Sequence, residues 1–180
     1  MNILGIGNAI VDVICKVDDQ FLAKNNLTKS NMKLIDEVEF KKLLGNLKIE
    51  ETVSGGSVAN SIVGLSQLGN KVGFIGKVNN DDLGQKYEHG LRKEKVEYFY
   101  SKKKENLPTG TCLILITPDS ERTMCTFLGT AGKINKTDIK TINLDSFNKR
   151  HEIFNISTIS GKGIDLLLEK ISEHIRYKTN

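Results

Sequence analysis

The stretch TVSGGSVANSIVGLSQLGNKVGFIGKV, residues 52–78, decides the fold. A short β-type run ends in Gly55-Gly56, Ser57 is a helix-capping residue type, and Val58, Ile62, Val63, Leu65 and Leu68 recur at helical spacing until Gly69. KVGFIGKV then reads as a buried strand, so the predicted unit is strand, glycine turn, helix, strand. Asp81-Asp82 opens a second helix running to about Lys95, with acids in its first turn and Arg92, Lys93 and Lys95 at its end, as the helix dipole favours. This alternation predicts an α/β fold with a mostly parallel sheet covered by helices.

Toward the N-terminus, Asn2 to Ile6 reads as a buried strand leading into Gly7-Asn8 and a second apolar run, Ala9 to Val17, which Asp12 interrupts. Asp36-Glu37 opens a helix with Val38, Phe40, Leu43, Leu44 and Leu47 on its apolar side. Toward the C-terminus, VEYFY (96–100), TCLILIT (111–117) and RTMCTFL (122–128) are three strand candidates with short connections. The last two flank Pro118-Asp119-Ser120-Glu121 and predict an antiparallel hairpin within a separate small sheet, with Tyr98, Phe99, Tyr100 and Phe127 as its apolar face. Beyond residue 133 the α/β rhythm returns as a short helix, a strand at HEIFNIS (151–157) and an amphipathic helix at GIDLLLEKISEHI (163–175).

Composition limits the function classes. With 38% hydrophobic and 27% charged residues and no low-complexity tract, the 180-residue chain is a folded protein of one domain or one domain plus an appendage. The net charge of +4 comes from scattered lysines, which gives no reason to expect a nucleic-acid partner; Lys102 to Lys104 reads as a solvated loop. No run approaches the ~18 apolar residues of a membrane span, and the opening lacks a signal peptide's basic region, so the expected location is cytoplasmic. Cys15, Cys112 and Cys125 are widely spaced and fit reduced, buried thiols. His89, His151 and His174 form no metal-binding motif, and no metal site is expected.

Gly5-Ile6-Gly7 lacks the third glycine of a dinucleotide fingerprint, since Ile10 stands in its place, and no P-loop occurs. Gly55-Gly56 is more informative: paired glycines before a helix let backbone approach a ligand and offer free N–H groups. Asn60 projects from the first turn of that helix, while Asn8 and Asp12 lie at or just beyond the end of the first strand, the edge where open α/β sheets bind ligands. A carboxylate, two carboxamides and bare backbone suit the vicinal hydroxyls of a ribose-like polyol. The same residues also fit a plain tight turn with a surface acid.

The motifs GNAIVDV, SGGSVANSIVGLSQLG, VGFIGKVNNDDLG and PTGTCLILITPDSERTMCTFLGTAG, in this order over residues 1 to 135, resemble the ribokinase-like (PfkB) family of carbohydrate kinases, particularly its adenosine kinase-like members. The resemblance implies a three-layer α/β sandwich, present here in part, with a small antiparallel β lid over the sugar. It also implies transfer of the ATP γ-phosphate, with Mg²⁺, to a primary hydroxyl of a small-molecule nucleoside or sugar. Asp12 would hold ribose hydroxyls, Gly55, Gly56 and Asn60 would complete the sugar site, and Asn8 would lie near the same ligand. Arg122, in the hairpin, would reach toward phosphate. The family's DTxGAGD motif, which supplies its anion hole and base, is absent from these 180 residues, so no catalytic residue is assigned and the chain alone is expected to be inactive. Residues 136–180 resemble another family: Asn135-Lys136-Thr137-Asp138, followed by ISTISGKGIDLLLEKI with Ser157, is similar to the guanine-reading end of Obg- or Era-type GTPases. The expected organisation is therefore a sugar-binding half over 1–135 and a strand-helix tail over 136–180, with an exposed sheet edge able to self-associate. The alternatives are a kinase fragment with a divergent tail, a non-catalytic nucleoside- or partner-binding module, or the guanine-binding end of a GTPase.

Overall fold

The computed structural model describes residues 2–100 and 103–140, together with Glu169. The chain divides into two compact units, Met1–Leu144 and Asp145–Asn180. The strand expected at 151–157, the helix expected at 163–175, Ser157, His151 and His174 lie outside the described residues, as does Lys102.

Two sheets organise the first unit. In the smaller, β1 (Asn2–Ile6), β5 (Lys71–Ile75) and β6 (Glu97–Tyr98) run parallel in the order β1-β5-β6. The larger contains β3 (Met32–Leu34), β8 (Arg122–Phe127), β7 (Gly110–Ile116), β2 (Ile10–Lys16) and β4 (Ile49–Gly55), in that spatial order. The helices are α1 (Asp19–Lys24), α2 (Glu37–Leu44), which packs on β8, α3 (Ser57–Gln67), which packs on β1 and β5, and α4 (Asp82–Lys93), which touches both sheets; a 3-10 turn (Gly129–Lys133) and α5 (Lys136–Lys140) follow β8. Asp18, Asp36 and Asp81 each accept a hydrogen bond from a first-turn amide, which is why α1, α2 and α4 begin where they do.

The β7–β8 hairpin is antiparallel as its sequence predicts, with Thr117 N bonded to Glu121 O across the turn. Its sheet is larger than a hairpin and mixed: β2 pairs parallel with β7 and antiparallel with β4, and β3 pairs parallel with β8. The second apolar run thus leaves the parallel sheet altogether at Asn8-Ala9. Residues 96–100 do not join this sheet, because β6 pairs with β5 and Tyr98 packs against Tyr87 with ring centroids 6.0 Å apart. Phe127 does belong to the hairpin, but its ring stacks on Phe40 of α2 at 5.2 Å.

One apolar core joins the two sheets. Val11, Val13 and Cys15 of β2, Leu113 and Leu115 of β7 and Cys125 of β8 meet Phe40, Ile62, Phe74, Tyr87 and Leu91 from the helices and the parallel sheet. Burying such side chains contributes about 1.5–3 kcal/mol each, so this shared core fixes the sheets to one another. All three cysteines are free and buried. Val38 and Leu68, counted on apolar faces from their spacing, are instead exposed, because each sits a step off the stripe that Phe40 and Leu43, or Ala59 and Ile62, bury.

Candidate functional site

Strand alternation places the site. Since Val11, Val13 and Cys15 enter the core, Ile10, Asp12 and Ile14 face the other side of the mixed sheet. Asp12 is paired with Val53 on β4 and Cys112 on β7, and Cys112 with Thr126 on β8, so these four side chains form one row across that face. The Thr126 hydroxyl lies 3.2 Å from the Cys112 sulfur. Ile10, Cys112 and Ala131, with Ile114 and Leu128 against them, form a small apolar cluster around the acid.

The diglycine turn is built against the same acid. A Cβ on Gly55 would overlap the Asp12 carboxylate, and one on Gly56 would fall 2.6 Å from the Asn8 carbonyl oxygen. Gly56 also has φ +96°, a conformation other residues rarely adopt. On the core side of β4, Ser54 Oγ donates to Tyr87 O (3.1 Å) and the Tyr87 hydroxyl donates to Gly55 O (3.4 Å), so α4 holds the strand end in place. Gly56, not Ser57, is the N-cap of α3, and no side chain caps it; the first-turn amides are free of a side-chain acceptor.

Burial pushes the Asp12 carboxyl up from 3.8 to about 6. Among the described residues no donor bonds to it. The burial of Tyr87 and the nearby Asp12 charge likewise push the Tyr87 phenol well above its ordinary range.

The structure therefore brings Asp12, Gly55 and Gly56 together and closes one side with the Asn8 backbone; the Asn8 side chain is exposed. Asn60 is also exposed and lines a cleft of about 540 Å³ with Thr52, Ser54, Lys86 and His89, of which Thr52 and Ser54 lie on the opposite face of β4 from Asp12. Arg122 pairs with Ile116, in the row of Lys16, which sets it four residues, about 13 Å, along the strands from Asp12. Asn135 Oδ1 accepts from Thr137 N (2.8 Å) and Asp138 N (3.3 Å), so this stretch starts α5. Lys136 is exposed. Asp138 is buried, with Lys77 Nζ 3.1 Å from Oδ2, Lys103 Nζ 3.3 Å from Oδ1 and Asn135 N bonded to Oδ2. Cys112, Thr126 and Tyr87 were not singled out as site residues from the sequence. Period-two alternation along 110–116 carried the signal for Cys112, but only the β2–β7 pairing says that its face is also that of Asp12.

Among known proteins, the sequence pattern of the pfkB family carbohydrate kinases matches residues 6–174. Adenosine kinase 2 of Arabidopsis thaliana is 24% identical over 182 aligned positions, covering 96% of this chain and 51% of that protein. The 5-dehydro-2-deoxygluconokinase of Mesomycoplasma hyopneumoniae (strain 232) is 29% identical over 108 residues, 60% of this chain and 32% of that protein. The solved adenosine kinase of Sinorhizobium meliloti superposes with a TM-score of 0.70 at 35% identity, covering 76% of this chain and 42% of the other. The chain spans about half, or less, of the length of these relatives.

Proposed function

The chain belongs to the pfkB family of carbohydrate kinases, and from that premise we propose that its first unit is the acceptor-binding part of a nucleoside kinase of the adenosine kinase type. The family reaction moves the γ-phosphoryl of ATP to a primary hydroxyl. The observation that carries this reading is the half-buried Asp12 carboxylate, laid on Gly55 beside an uncapped helix start and bonded to no described donor. A vicinal diol supplies two O–H donors to such a carboxylate, while the amides of α3 donate to the diol oxygens. Val53 and Cys112 flank Asp12 in its own row and Ile14, Ile114 and Met124 stand in the next, which favours an acceptor bearing a flat apolar base over a bare sugar. Asn8 and Asn60 are proposed at the rim of this site; Arg122 is given no part in holding the sugar.

ATP supplies the phosphoryl group in this family and Mg²⁺ balances its charge. The described residues present no glycine-rich phosphate cradle, and we assign neither group a residue. For residues 136–174, the family match and the alignment with the plant enzyme favour a kinase origin over the guanine-reading end of a GTPase. The engaged Asp138 carboxylate argues the same way, since base reading requires free oxygens. The absence of DTxGAGD from the 180 residues favours binding without transfer by this chain alone.

Calorimetry with adenosine, ribose and GDP tests the assignment. Adenosine should bind more tightly than ribose, and Asp12→Ala should abolish both signals. Adenosine binding that survives Asp12→Ala, or a GDP signal in place of adenosine, would overturn it.

A further inference from the structure

Lys77 directly follows β5 and Gly76 and is 4% exposed. Its ammonium lies 3.1 and 3.3 Å from the two Asp138 oxygens and 3.2 Å from Glu105 Oε1. It also sits 5.9 Å from the centroid of the Tyr100 ring, whose hydroxyl donates to Glu105 Oε1 (2.9 Å). Lys103 completes the group at 3.3 Å from Asp138 and 3.8 Å from Glu105. Two ammonium groups and two carboxylates balance in charge. Burial opposes the Lys77 charge, but its bonds to Asp138 and Glu105 outweigh that and hold its pKa above the usual range; burial likewise works against the Asp138 charge, and its bond to Lys77 reverses the sign.

The partners stand on opposite legs of one hairpin. Glu105 is on the leg entering β7, and Asp138 is on the leg leaving β8. The entering leg has other ties: Asn79 Oδ1 accepts from Glu105 N (2.9 Å), Asn79 Nδ2 donates to Leu107 O (2.9 Å), and Asp81 accepts from the Thr109 amide and hydroxyl (2.9 and 2.6 Å). The Lys77–Asp138 pair (3.1 Å) ties the leaving leg to the segment after β5, while Lys103 to Asp138 (3.3 Å), Thr130 N donating to Pro108 O (2.9 Å) and the Thr130 hydroxyl donating to Leu107 O tie it to the opposite leg.

We propose that Lys77 is a positioning residue that pins both legs of the β7–β8 hairpin to the end of the parallel sheet, and so sets where Cys112 and Thr126 stand relative to the α3 start. The link to ligand affinity rests on the proposed function; the pin itself does not.

The test compares backbone amide exchange in the unliganded chain for two near-isosteric variants, each of which leaves Lys77 one carboxylate. Asp138→Asn should speed exchange at Thr130 and Gly132 by about tenfold while Val72 and Phe74 stay unchanged, because the bonds that Thr130 keeps run to the opposite leg of the hairpin and not to the parallel sheet. Glu105→Gln should change Leu107 and Thr109 less than roughly threefold, because Asn79 and Asp81 still hold that leg. Lys77→Arg, which keeps a cation between the carboxylates, should keep both legs protected. Unchanged protection at Thr130 in Asp138→Asn would overturn the proposal, and so would a uniform rise that includes β5 or loss of the folded state, since either makes the pair a general stabiliser. In a binding arm, Asp138→Asn should weaken adenosine about tenfold, and undiminished affinity would remove the link to the site. If the unaltered chain fails to bind adenosine, the proposed function falls and the exchange result stands.

Discussion

At Asp12 the fold holds a carboxylate where burial disfavours its charge and nothing described compensates it. The sign of the consequence follows from the carboxyl lying near 6 in the folded chain and 3.8 when solvated: the acid destabilises the fold fully above about pH 6 and not at all below about pH 4. Asp12→Asn should therefore raise stability at pH 8, by roughly 1 kcal/mol after allowance for partial exposure, with the gain fading as pH falls from 6 to 4. The same variant should lose adenosine binding; denaturant titrations at the two pH values, with calorimetry alongside, check both halves. Affinity in the unaltered chain should likewise fall as pH drops below 6, since the protonated acid accepts fewer bonds. The two glycines separate in a similar way. Gly56→Ala meets a positive φ and a backbone carbonyl and should cost about 1–3 kcal/mol of stability in any background. Gly55→Ala meets the Asp12 carboxylate, so its cost should shrink once Asp12→Ala is also present, a coupling that a double-mutant cycle reads directly. These residues were legible in the sequence because an acid within an apolar run and a glycine pair before a helix each demand a local reason. Asp138 was legible only as a motif. An Asn-x-x-Asp helix start and a guanine-reading loop share the same letters, and the lysine that occupies the acid lies 61 residues away.

Among the helices, capping explains most boundaries, and one cap does more than start its helix. Asp36 accepts one amide, Glu39 N at 2.8 Å, so Asp36→Ala should cost about 1 kcal/mol. Asp81 accepts Gly84 N at 2.8 Å and also both donors of the fully buried Thr109. Removing it strands those donors, so Asp81→Ala should cost about 2–4 kcal/mol, measured by urea unfolding beside Asp36→Ala. The β-α-β-α rhythm of residues 52–95 was legible because helical and strand periods alternate there with clear stops. The membership of β2 and β4 in the mixed sheet was not, because period-two alternation shows that a strand has two faces but not which neighbour pairs with it. The short β3 and α1 gave no periodic signal at all. The β2–β4 ladder brings Asp12 beside Gly55, a pairing that its place inside an apolar run does not reveal.

Across the whole first unit, the two sheets share one core, and the chain passes between them at Asn8-Ala9, at Gly55-Gly56 and along the leg entering β7. The atoms proposed to bind the ligand cluster at the first two crossings and the ionic ties at the hairpin legs, so a ligand that bridges the sheets should stiffen the unit as a whole. Such a ligand stabilises by RT ln(1 + [L]/Kd), about 2.7 kcal/mol at one hundred times Kd. Adenosine at that excess should therefore raise the unfolding midpoint, Asp12→Asn should be unresponsive, and ribose should give a smaller shift because it leaves the apolar row of Ile114 and Met124 uncovered. Phosphoryl transfer is a separate demand, for it requires donors placed around the charge that develops on the phosphate, and the DTxGAGD residues that meet it in this family do not occur in these 180 residues. Binding and turnover should thus dissociate: with ATP, Mg²⁺ and adenosine together, the midpoint should shift as with adenosine alone, and a coupled assay should record no release of ADP above the rate without protein. Adenosine-dependent ADP release that Asp12→Asn abolishes would show that other residues of the chain supply the missing donors.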